Sequence, residues 1–339
     1  MLQLFVVCAA LAACVHDSDE TSEHVDFIFE DTSRQLCAGS LPHLNGYVER
    51  ALNFFDEPVP EDFVVPVRVM ANPPCTQDAC YKPNAKEVYT AVLDRVGART
   101  SGVLRHELSH AVIGHVWGSS IPFFGEGLAE ALSPSADWVN TSAEVVPVAG
   151  MLASEAEGVD YTAAARFIRF LIDTRGLDNF KRMFQAGNER SEDAIHATFL
   201  EVYGEDFAAL EAEFLAGPPR CMFQVDICDA ERAEPVGSGW SRTFAASCAD
   251  PDFYGSIGSE DQNIATQRTI LVEAAGSYHL STSSPVVLAR CGDCEQQFIP
   301  TRLYGGVDLE LDEGLYTLEF MLTADTVVTL ELVPEAVAP

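Results

Sequence analysis

His106-Glu107-Leu108-Ser109-His110 is the stretch on which the reading of this chain turns. Residues four apart on an α-helix share a face, so the spacing predicts a helix on which His106 and His110 aim their imidazoles at one point. Two histidines fall short of a catalytic zinc site, which takes three protein ligands and leaves a fourth, tetrahedral position for water. After fifteen intervening residues, Glu126-Gly127-Leu128-Ala129-Glu130 offers the missing carboxylate. The expected ligands of Zn2+ are therefore His106, His110 and Glu126. Glu107, next to His106, is the expected general base, placed to take a proton from a water whose pKa the metal lowers to near 7.

A His-acid-x-x-His string arises by chance in roughly three chains per hundred of this composition, so the flanking residues have to carry the inference. Ser101-Gly102 offers an N-cap ahead of Val103, Leu104, Leu108, Ala111 and Val112, an apolar series suited to a buried helix. The segment from Glu126 to Leu132 is also helix-compatible and sets Glu126 and Glu130 on one face, where Glu130 is expected to orient a ligand histidine through its second ring nitrogen. The competing reading is a solvated helix with ordinary polar pairs four apart.

His-Glu-Leu-Ser-His followed by Phe123-Phe124-Gly125-Glu126-Gly127-Leu128-Ala129-Glu130-Ala131-Leu132 resembles the gluzincin metallopeptidases, in particular the small bacterial peptidase MA-like group. In that group a HExxH helix is followed by an aromatic-x-E-G-x-A helix. The resemblance implies zinc on His106, His110 and Glu126, Glu107 as base and Glu130 behind the ligands, where thermolysin-like relatives carry Asp. A looser likeness runs from about residue 25 to 217, through Tyr161 to Leu171 and Tyr203 to Phe207. It brings in Tyr161 as an oxyanion donor. It also makes Glu87 to Leu93 the sheet edge that grips an extended peptide by main-chain hydrogen bonds. His115 does not fit the rival HExxHxxGxxH pattern of metzincins, because position 113 is Ile and position 116 is Val. It is expected as a partly exposed helix residue or a hydrogen-bond partner outside the ligand set.

The chain has 339 residues, 47% hydrophobic and 9% aromatic, enough for two cores of ordinary size. Its 20 Lys+Arg against 52 Asp+Glu give a net charge of -32, which repels phosphate backbones and argues against a nucleic-acid partner. Because the acids are dispersed, the charge reads first as a well-solvated surface and only second as attraction for basic substrates.

Residues 1–13 read as a signal peptide ending Leu11-Ala12-Ala13 before Cys14, which resembles the lipobox of bacterial lipoproteins, although no Lys or Arg precedes the apolar run. Cleavage there leaves Cys14 for lipidation and residues 14–24 as a tether. The expected localisation is export, as a membrane-anchored lipoprotein of the bacterial cell envelope or a secreted protein. Eight further cysteines permit four disulfides: Cys37, Cys75, Cys80, Cys221, Cys228, Cys248, Cys291 and Cys294. The local guesses are Cys75 with Cys80 and Cys291 with Cys294, in which case Cys37 bonds into the group of Cys221, Cys228 and Cys248. Cys291-Gly292-Asp293-Cys294 as a redox or zinc half-site is the alternative.

Val25 to Phe29, Phe63 to Met70 and Glu87 to Leu93 read as strands, with a helix from Leu41 to Phe55. Further helices are expected over Tyr161 to Asp173, Leu177 to Phe184, Ser191 to Val202 and Phe207 to Leu215, before Gly217-Pro218-Pro219 breaks the pattern. From about residue 220 the apolar period becomes two, as in Tyr316, Leu318, Phe320 and Leu322. Gly276-Ser277-Tyr278 and Gly314-Leu315-Tyr316 share a Gly-x-Tyr start, similar to the sandwich domains appended to secreted bacterial peptidases. Docking, substrate capture and a structural appendage are all open roles for this region. Calcium on Asp250 or Asp252 has no EF-hand spacing behind it. The expectation is thus an α+β fold, a gluzincin-like metallopeptidase domain over 25–218 followed by an all-β sandwich over 219–339. It would hydrolyse protein or peptide substrates from a lipid anchor in the membrane. Two alternatives stand beside it: a surface binding or adhesion lipoprotein with a vestigial zinc site, and zinc hydrolysis of another amide such as a cell-wall peptide.

Overall fold

A computed structural model describes residues 20, 21, 23–30, 35–58, 60, 62–75, 79–91, 103–133, 145–186, 190–218, 220, 223, 225, 228, 230–257, 263–291, 303–323 and 325–334. In chain order the first elements are β1 (Glu20–Thr21), β2 (Val25–Phe29), β3 (Gln35–Leu36), α1 (Ser40–Phe54), β4 (Val65–Val69), β5 (Ala79–Lys82) and β6 (Glu87–Thr90). The helices α2 (Val103–Val116), α3 (Pro122–Leu132), α4 (Tyr161–Arg175), α5 (Leu177–Ala186), α6 (Glu192–Tyr203) and α7 (Phe207–Ala216) follow. The remainder is strand: β7 (Glu234–Pro235), β8 (Trp240–Ala245), β9 (Tyr254–Ile257), β10 (Asn263–Val272), β11 (Gly276–Arg290), β12 (Leu303–Leu311), β13 (Gly314–Thr323) and β14 (Val327–Pro334). The fold is mixed α+β, and its helices and strands fall where the two apolar periods place them.

The first sheet has the order β1-β2-β4-β6-β5, with β2, β4 and β6 parallel and an antiparallel strand on each flank. Alternate residues of β2 and β4, Val25, Phe27, Phe29, Val65, Val67 and Val69, point into one core. One expectation is corrected here. The strand at Glu87 is not the sheet edge, because the hairpin through Lys86, at φ 54°, folds β5 back along its outer side. Residues 92 and 93 of that expected strand lie outside the described residues, as do Ser101 and Gly102.

The helices carry the punctuation that their ends require. Asp160, Ser191 and Asp206 cap α4, α6 and α7 by accepting from the amides of Ala163, Ala194 and Ala209. A ring-rich core of Phe123, Phe124, Phe167, Phe180, Phe199 and Phe214 then packs α3 to α7 together.

The second sheet is curled and nearly all antiparallel, following β3-β9-β10-β13-β11-β14-β8, with β12 on β11 and β7 on β10. The long β11 pairs with β14 over Tyr278 to Thr282 and with β13 over Val286 to Arg290, and the register shifts between Thr282 and Val286. That irregularity bends the strand and curls the sheet onto its own core of Leu280, Tyr316, Leu318, Phe320 and Leu330. The shared Gly-x-Tyr starts have a common physical basis. Tyr278 and Tyr316 each donate their hydroxyl to the carbonyl four residues back, at Ala274 and Asp312, and so pin the turn ahead of the strand.

Among the described residues three cysteine pairs are placed for disulfides: Cys75–Cys80, Cys37–Cys248 and Cys228–Cys291. The first agrees with the local guess, and Cys37 does bond into the C-terminal group. The Cys291–Cys294 guess is overturned, since the end of β11 carries Cys291 to within 6.0 Å (Cα to Cα) of Cys228. Cys14, Cys221 and Cys294 lie outside the described residues. Among the described residues no helix is long and apolar enough to cross a membrane.

Candidate metal centre

Every residue of α2 from Leu104 to Ser109 is buried, so the helix that carries the two histidines runs inside the molecule. It stops at Gly118, whose φ of 86° costs a glycine nothing, and α3 starts with Pro122 in its first turn behind an extended Ile121. This tight connection turns α3 back across α2. Ser120 fixes it by donating to the carbonyl of Phe184 at the end of α5.

The crossing brings three side chains to one point. Glu126 Oε2 stands 3.3 Å from His106 Nε2 and 3.2 Å from His110 Nε2, and the two nitrogens are 3.2 Å apart. Donors at 2.0–2.1 Å from a common ion with tetrahedral angles lie about 3.3–3.4 Å from one another, so the spacing fits the bond lengths of zinc. The electrostatics fit too. Three carboxylates, Glu107, Glu126 and Glu130, surround two imidazoles, a balance that a divalent cation evens out. Burial lowers the His106 pKa, but its contacts with the carboxylates of Glu126 and Glu130 and the charge of Glu107 outweigh burial and push it up to about 10. Burial likewise works to raise the Glu126 pKa, yet His106 and His110 hold the carboxyl well below the usual carboxylate range.

Glu130 is buried one turn behind Glu126, with Oε2 3.3 Å from His106 Nδ1, inside ion-pair range though off the axis of a good hydrogen bond. Glu107 is buried as well, and its Oε2 accepts from the backbone amide of Tyr81 on β5 at 2.6 Å. Tyr161, the first residue of α4, lies parallel to the His106 ring at 5.8 Å and within the influence of the Glu126 charge. Its pKa is raised, first by burial and then by Glu126, which keeps the hydroxyl protonated. His115 is exposed, against the ring of Phe63 and away from this group.

Two features of the site were not foreseen. Gly127 is required by packing: a Cβ there would meet Ile168 Cδ1 at 2.6 Å and Ala164 Cβ at 2.8 Å, so only glycine lets α4, with Tyr161, lie this close to α3. The second is another His/Glu group, Glu23, His24 and Glu49, whose ligand atoms lie within 4.8 Å of one another. His24 is buried with Nδ1 on the Phe63 carbonyl, and its Nε2 is 4.0 Å from Glu49. This set is looser than the first, and its members come from the two residues ahead of β2 and from α1, too far apart in sequence for any spacing to flag. Asp250 and Asp252 are otherwise engaged, the former accepting from the Asp252 amide and the latter paired with Arg268.

Compared with known proteins, the chain matches no family model and no curated protein.

Proposed function

We propose that this chain is a zinc-dependent peptidase of the gluzincin type, exported and held at the bacterial envelope through a lipid on Cys14. The observation that carries the activity is the meeting of His106, His110 and Glu126 at mutual distances of 3.2–3.3 Å, on a helix pair that also presents Glu107. When bound, zinc supplies Lewis acidity and lowers the pKa of a ligated water to near 7.

The chain's own residues do the rest. His106, His110 and Glu126 hold the ion, and Glu130 fixes the ring of His106 from behind. Glu107 is anchored by one carboxylate oxygen on the Tyr81 amide. Its other oxygen accepts a proton from water and passes it to the leaving amine. The protonated Tyr161 hydroxyl donates to the carbonyl oxygen as charge builds there. β5, the outer strand of its sheet, runs beside Glu107 and offers an edge on which an extended peptide can align. Export is supported by the cysteine pairs, which an oxidising compartment preserves.

The test is zinc measurement on the purified mature chain beside a peptide-library digest with and without chelator. Cleavage that chelator abolishes and zinc restores is the expected result. A chain that holds zinc and cleaves nothing sinks the peptidase and leaves a binding role.

A further inference from the structure

His24 stands where the chain enters its first sheet, and three separate groups hold it there. Its amide donates to Asn45 Oδ1 of α1 at 3.0 Å, its carbonyl accepts from the Val65 amide of β4, and its ring nitrogen Nδ1 is 3.0 Å from the Phe63 carbonyl oxygen. A carbonyl can only accept, so Nδ1 carries a proton and the neutral ring keeps its lone pair on Nε2. The residue is 2% exposed, and among the described residues no hydrogen bond reaches Nε2. A ring anchored through Nδ1 on a backbone carbonyl, with Nε2 left open, is how proteins orient a histidine toward a metal.

Two carboxylates gather at that nitrogen. Glu49 lies four residues beyond Asn45 on the same face of α1, and its Oε1 is 4.0 Å from Nε2, past hydrogen-bond reach. Glu23 precedes His24, and one ligand atom from each of the three residues lies within 4.8 Å of the others. Both glutamates are exposed, and among the described residues neither is paired with a lysine or an arginine. A protonated ring offers one positive charge to two carboxylates, whereas a divalent cation balances both. Tetrahedral zinc sets its donors about 3.3–3.4 Å apart, so the exposed glutamates close in on the ion while the buried ring stays where it is. Their partner helix is firmly seated: at its start a Cβ on Gly39 would sit 2.4 Å from the Pro251 carbonyl oxygen, and Ser40 donates to the Gly255 carbonyl.

We propose that His24 Nε2, Glu23 and Glu49 form a second metal site, for zinc or a like divalent transition ion, that fastens the entry of the chain to α1. A nitrogen donor beside two carboxylates selects this class over magnesium and calcium, which take oxygen ligands. The site shares no residue with His106, His110 and Glu126 and does not depend on the reading of that centre.

The experiment is equilibrium dialysis of the full mature chain against zinc in a large excess of magnesium, with bound zinc counted per chain. Magnesium fills loose clusters of carboxylates and leaves sites with an imidazole to zinc. Four proteins are compared: the parent, Glu126→Ala, Glu23→Gln/Glu49→Gln, and Glu157→Gln/Glu201→Gln, which removes two exposed acids elsewhere. The exposed carboxylates are replaced and the buried ring is kept, so folding is not at stake. The parent and the Glu157→Gln/Glu201→Gln control are expected to hold two zinc ions, and Glu126→Ala and Glu23→Gln/Glu49→Gln one each. A parent with a single zinc that Glu126→Ala keeps and Glu23→Gln/Glu49→Gln loses supports this site and sinks the metal reading of His106, His110 and Glu126. A single zinc with the opposite dependence overturns the proposal. So do a second zinc that survives Glu23→Gln/Glu49→Gln, an equal loss in the control, and a parent that takes up none.

Discussion

Glu107 and Glu126 are acids on the same crossing pair of helices, and their replacement separates chemistry from metal binding. Glu107→Gln keeps the ligand set and loses the proton acceptor, so zinc content should hold while peptide turnover falls about 10²–10⁴-fold. Glu126→Ala should lower zinc content itself, and metal measurement beside a turnover assay distinguishes the two. The metal-free centre has its own signature. The His106 pKa is raised from 6.5 to about 10 in the folded chain, so the stability it contributes is complete below pH 6.5 and is lost as pH rises toward 10. Melting curves in chelator should therefore fall over that interval, and added zinc should flatten them. At this scale the sequence was informative where chemistry depends on short spacing: the four-residue interval of His106 and His110 is a helical fact. It said nothing of Tyr81, whose contribution is a backbone amide that any residue but proline supplies.

Gly127 belongs to the scale of elements. Giving it a methyl group sets α3 and α4 apart, so Gly127→Ala should cost about 1–3 kcal/mol, read as a lowered melting temperature. Because α4 begins with Tyr161, turnover should drop more than the zinc content does. The helices were legible because each carries its own period and its own cap, as with Asp160 ahead of Tyr161. The outer position of β5 was not, because strand order depends on a pairing with β6 that four residues of mixed polarity do not announce. Cys291 eluded the same kind of reading. Nearness in sequence favours Cys294, but an extended strand delivers its end to a distant partner.

For the molecule as a whole, the decisive link is Cys37–Cys248, which closes a loop of 211 residues and ties the segment leading into α1 to the core of the second sheet. Replacing both cysteines by serine should cost about 2–5 kcal/mol, measurable by denaturant unfolding, and the loss should reach both the helical core and the curled sheet. A shift in periodicity near residue 220 marked where strands take over, yet it drew a boundary that Gln35 to Ser40 ignore. Those residues pair with Ser256 and Ile257, and no local pattern in six residues discloses a partner more than two hundred positions away.

Gly39 against Pro251 also dictates an order of events. As the chain leaves the ribosome, α1 is made long before the strand β9 on which its start is to pack. The N-terminal segment must wait with its cysteine unbonded until residues 248–257 emerge. Maturation of this protein is therefore a late closure between its two halves, slow in the way of distant contacts, and the oxidant that makes this bond acts after the second half has been made rather than before.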